Sequence, residues 1–122
     1  MVIADVAVMP LRPYANEDQM YKIVDACIEL VEKSGLKYEI GAMSTTFEGE
    51  FDEVFELIKK MHKLPFELNC ERVITVARVD EKAGGLTIED KLRNHREYKK
   101  SLLSNYYFFS YNSCLAVCCG KV

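Results

Sequence analysis

The residues whose types and spacing point most directly to chemistry are Ser44, Thr46 and Glu48. They alternate with Met43, Thr45 and Phe47, so on a strand two hydroxyls and a carboxylate share one face and the less polar side chains take the other. Such a row can exchange hydrogen bonds with a small polar ligand and add one negative charge. The alternative is a sheet edge whose polar side chains are simply solvated. Catalysis finds less support. The chain has no glycine-rich phosphate loop, no Ser-His-Asp set and no metal cluster, and His62 and His95 fall near helix ends. Acyl-phosphate hydrolysis would need an arginine in the first loop and an asparagine on the third strand. Here Arg12 is followed by proline and that strand offers Ser and Thr.

The elements that must hold this row can be read in order. Val2 to Met9 is a nearly continuous apolar run broken by Asp5, the pattern of a central strand, and Pro10 and Pro13 are expected to end it. Asn16 and Gln19 stand at capping-box spacing before a helix with Met20, Ile23, Val24, Cys27, Leu30 and Val31 on one stripe. Gly35 is placed to stop it. Leu36, Tyr38 and Ile40 alternate with charges in a half-buried strand, and Gly41 and Ala42 allow the reversal into the polar row. A second helix places Phe51, Val54, Phe55, Ile58 and Met61 on one face, with Pro65 expected to forbid its continuation. Arg72 to Val79 reads as a strand, and Thr87 to about Lys100 as a third helix.

Strand, helix, strand, strand, helix, strand is the order of an α+β, ferredoxin-like βαββαβ fold. It implies an antiparallel sheet with two helices on one face, plus a C-terminal helix. The opposite face, with Ile3, Ala7 and Met9, is left to be covered by self-association as a dimer or tetramer. Residues 1–100 form the expected domain. Residues 101–122 are an extension of different character, with Lys121 as the one charge, five of the thirteen Tyr and Phe residues, and three cysteines.

Composition sets outer limits. A net charge of −3 and a pI near 5.4 argue against general nucleic-acid binding. The basic cluster Lys91, Arg93, His95, Arg96, Lys99 and Lys100 reads as a solvated helix face. No apolar run suits a membrane span or a secretory leader. The five cysteines, Cys27, Cys70, Cys114, Cys118 and Cys119, form no Cys-x-x-Cys pair, which suits reduced thiols in a cytoplasmic protein.

Several blocks together carry a resemblance. Val2-Ile3-Ala4-Asp5-Val6 running to Met9-Pro10-Leu11, Ser34-Gly35-Leu36-Lys37-Tyr38-Glu39, Met43 to Glu50, Glu53-Val54, Arg72-Val73 and Asp80 occur in that order. The chain from Val2 to about Lys91 resembles the small thiamine-binding-protein family. The resemblance implies a ferredoxin-like fold, homo-oligomers that are often tetramers, no chemical step, no cofactor, and binding of thiamine (vitamin B1) or its hydroxymethylpyrimidine precursor. It places Asp5, Tyr38, Ser44, Thr46, Phe47 and Glu48 at the expected site. Thr46 and Glu48 would hydrogen-bond the aminopyrimidine, Asp5 would face the thiazolium, and Tyr38 or Phe47 would stack. Arg78 on the neighbouring strand is the competing partner for Asp5, and core packing the competing role for Tyr38 and Phe47. Lys82 and Lys91 match the family's later basic positions loosely, and the tail from about Asn94 matches nothing in it. An oligomeric regulatory or interaction module of the same fold, with a different small ligand, is the alternative.

Overall fold

The computed structural model describes residues 1–12 and 16–95. The expected extension at 101–122, the end of the third helix and the three tail cysteines lie outside these residues. The described chain divides into two units, one of Met1–Ile88 and one beginning at Glu89. The first contains β1 (Val2–Arg12), α1 (Glu17–Lys33), β2 (Lys37–Ile40), β3 (Thr45–Gly49), α2 (Phe51–Glu67) and β4 (Arg72–Asp80). A third helical run covers residues 88–95.

The four strands form one antiparallel sheet in the order β2-β3-β1-β4, the ferredoxin-like arrangement. Both helices lie on one face, because Val2, Ala4 and Val6 of β1 and Phe47 of β3 share a buried cluster with Val31, Val54, Leu57 and Met61. The apolar stripes of the two helices supply those last four, as helical spacing requires. Asn16 caps α1 by accepting the Gln19 N–H at 3.0 Å, and Gly35 beyond its end takes φ +79, which favours glycine. Glu50 and Glu53 close a reciprocal box at the start of α2. Between β2 and β3 the Gly41 N–H bonds the Ser44 carbonyl at 2.8 Å. A Cβ on Gly41 would lie 2.9 Å from that oxygen, so this hairpin needs the glycine.

Two proline expectations are corrected. β1 does not stop at Pro10 but runs on to Arg12, with a register shift between the two. β3 pairs only with Val2 to Val6, so at Pro10 the strand has an open side where a missing N–H costs nothing. Nor does Pro65 end α2, which continues to Glu67. A proline there deprives the Met61 carbonyl of its partner four residues on. That oxygen instead accepts the Cys27 thiol, at 3.5 Å.

The face away from the helices is not wholly bare either. Its first cross-strand row is Lys37, Glu48, Ile3 and Asp80. Ile3 and Glu48 are buried, and so is Ile88, whose N–H bonds the Glu48 carboxylate. The chain after β4 therefore returns over this end of the sheet. Further along, Met9, Ile74 and Val76 stay exposed and Ala7 is half-buried.

Candidate ligand-binding site

The second row on the face away from α1 and α2 is Glu39, Thr46, Asp5 and Arg78, one residue from each strand. Its centre is the Asp5 carboxylate on β1, whose side chain is 19 % exposed. The Thr46 hydroxyl donates to Oδ1 at 3.4 Å, and Ser44 adds a further hydrogen bond. Arg78 reaches across from β4 to Oδ2, with Nε at 3.1 Å and Nη2 on the same oxygen. Burial is the largest single influence on this carboxyl and would push its pKa up. The bonds from Ser44 and Arg78, the Arg78 charge and the Thr46 hydroxyl outweigh it and hold Asp5 below the ordinary carboxylate value.

Of the six residues expected at the site, the structure brings together Asp5, Ser44, Thr46 and Glu48 on one side of the sheet. Glu48 sits next to Thr46 on the same face of β3, only 6 % exposed. Its Oε2 accepts the Ile88 N–H at 2.5 Å, so this carboxylate also anchors the chain after β4. Phe47 and Tyr38 are not with them. They oppose each other in the β2–β3 register on the helix side, where Phe47 is 0 % exposed and has no surface left for a stacked ring. Tyr38, on the outermost strand, is separated from the row by the thickness of the sheet. Neither Phe47 nor Tyr38 thus stands beside the polar row, because a period-two strand cannot turn neighbouring side chains the same way.

Arg78, one of the two partners expected for Asp5, is paired with it. Arg78 was missing from the expected set. Its only sequence signal was that an arginine on the last strand could lie beside an acid on the first, which the register Asp5↔Arg78 makes specific. A network of this kind can bind and orient a polar heterocycle.

The profile of the thiamine-binding protein family matches residues 4–96. This chain belongs to that family. A UPF0045 protein of Clostridium perfringens is 35% identical over 88 residues, covering 72% of this chain and 93% of its own. Another, from Methanocaldococcus jannaschii, is 36% identical over 93 residues, 75% and 89% of the two chains. Among solved structures, a domain of unknown function from Bacillus cereus superposes with a TM-score of 0.68 at 34% identity. It covers 75% of this chain and 86% of that one. A Thermotoga maritima protein, provisionally described as acting in thiamine biosynthesis or salvage, gives 0.68 at 32% identity, with 77% and 97% covered. Family membership thus agrees with a small-molecule partner. No helix among the described residues is long and apolar enough to cross a membrane.

Proposed function

We propose that this protein binds thiamine or its hydroxymethylpyrimidine precursor, without chemical change, as a cytoplasmic homo-oligomer. One observation supports this most: in a member of the thiamine-binding family, Thr46 and Glu48 share with Asp5 the sheet face away from α1 and α2. The hydroxyl and carboxylate suit the amino group of the pyrimidine, and the negative charge of Glu48 suits the thiazolium. Half-buried Ala7 and exposed Val76 lie one row further along and offer a ring its apolar contact. The exposed patch of Met9, Ile74 and Val76 gives a second copy an apolar surface to cover, which would also enclose the ligand. Buried Cys27 and Cys70, both free thiols, fit a reducing compartment.

Calorimetric titration with thiamine, its phosphates and hydroxymethylpyrimidine tests the reading. Saturable binding of at least one, weakened by Thr46→Val, is the expected result. No heat from any of them at millimolar concentration would leave the apolar patch as the functional surface, and the interaction module would replace ligand binding.

A further inference from the structure

We infer that Asp5 fixes the hydrogen-bonding polarity of this face, so that the site accepts a heterocycle edge carrying an amino donor beside a ring-nitrogen acceptor and rejects the inverted, 4-oxo edge. The inference rests on the proposed binding of thiamine-type ligands and adds Asp5 and Arg78 as the residues that determine specificity.

An ionised carboxylate can only accept hydrogen bonds. Asp5 is held in that form, so the hydroxyls of Thr46 and Ser44 must each spend their one proton on it. What remains to them is lone pairs. Glu48, next on β3, is likewise an acceptor, and its Oε2 already holds the Ile88 N–H. The β3 side of the site therefore asks its ligand for donors.

Arg78 supplies the opposite character. A guanidinium has five N–H donors and no acceptor. Two of them, on Nε and Nη2, are fixed on Asp5 Oδ2, and the others belong to a side chain that is 80 % exposed. Thr46 and Arg78 grip different oxygens of one carboxylate. Lone pairs from β3 and N–H donors from β4 therefore flank one carboxylate. Acceptor from β3 and donor from β4 match the amino group and neighbouring ring nitrogen of a 4-aminopyrimidine. In the 4-oxo analogue a carbonyl faces lone pairs and a ring N–H faces a guanidinium, and both contacts turn repulsive.

Thiamine and oxythiamine, which differ at that edge but share the thiazolium charge, are titrated calorimetrically into the intact protein. The wild type is expected to bind thiamine at least about tenfold more tightly, since a site built to hydrogen-bond one edge leaves its groups unpaired with the other. In Asp5→Asn the amide can donate to Thr46 and reverse its hydroxyl, so the ratio should collapse towards one. Arg78→Met, at an exposed position, should shrink the ratio as well and serves if Asp5→Asn does not fold. Equal affinity of the wild type for both compounds overturns the polarity while thiamine binding stands, and so does a ratio unchanged in both variants. If neither compound binds, the thiamine reading fails and the inference fails with it.

Discussion

The Cys27 thiol donates to the Met61 carbonyl, the one oxygen in α2 that Pro65 leaves without its helical N–H. A buried cysteine thus mends a break that a proline makes in another helix. Cys27→Ala should lower the unfolding free energy by about 1–2 kcal/mol, for the lost contact and the unsatisfied carbonyl. In a Pro65→Ala background the substituted residue supplies an N–H, and the cost of Cys27→Ala should fall by about 0.5–1 kcal/mol. Urea denaturation of the four proteins in this cycle measures the coupling. Additive effects would show that the thiol is only filling space.

The same thiol carries a pH signature. Burial pushes its pKa from 9.0 up to about 11. A raised value means the neutral form is favoured in the fold, so its contribution is intact below pH 9 and is lost as pH climbs towards 11. The expected loss is on the order of 2–3 kcal/mol. Denaturation series from about pH 8 to 11 on wild type and Cys27→Ala isolate it, since only the wild type should show this component.

Glu48 has two duties that separate by substitution. Glu48→Gln keeps an oxygen for the Ile88 N–H and removes the charge, so thermal stability should hold while thiamine affinity falls about tenfold. Glu48→Leu should also cost about 1–3 kcal/mol of stability, because the Ile88 N–H is then orphaned. Melting curves beside titrations distinguish the two effects.

At low pH the Asp5 network should loosen. Its folded-state pKa lies below the usual 3.8, so the carboxylate stabilises the fold above that value and stops doing so as pH falls through its own. The stability gap between wild type and Asp5→Asn should stay level from about pH 5 to 8 and close below about pH 4. A gap that persisted at about pH 2 would mean that packing, not charge, sets it.

Assembly can be tested on the exposed patch. Met9→Lys or Ile74→Lys would put an uncompensated charge into any interface formed there and should shift light scattering to the monomer mass. A wild type that is already monomeric at micromolar concentration would remove the proposed oligomer.

Much of this architecture was legible in the chain. Periodicity and capping marked both helices, alternation marked the strands, and Thr46 and Glu48 of the polar row fell on one face of β3, with Ser44 just before it. What escaped notice depended on partners far away in sequence. Local rules stop a helix at Pro65, and nothing near it announces the Cys27 thiol on the other helix. The strand period already put Phe47 opposite the polar row, but only the register shows that its side is the packed one. The Ile88 N–H on Glu48 joins residues 40 apart, and neither has a sequence signature for that contact.

The unequal reach of the strands has a mechanical consequence. β3 accompanies β1 only from Val2 to Val6, whereas β4 follows it to Arg12. The sheet is therefore four strands wide at one end and narrows to a two-stranded ribbon at the other, held on its helix side by Val8 against the core and by His62 paired with Thr75 at 2.7 Å. Ribbons twist more strongly than wide sheets and are marginal when unsupported. Met9 and Ile74 sit opposite each other on this ribbon, on its face away from α1 and α2. Amides on the ribbon beyond Ala7 would then exchange with solvent sooner than those of the platform, and a neighbour gripping it would stiffen the least supported part of the sheet.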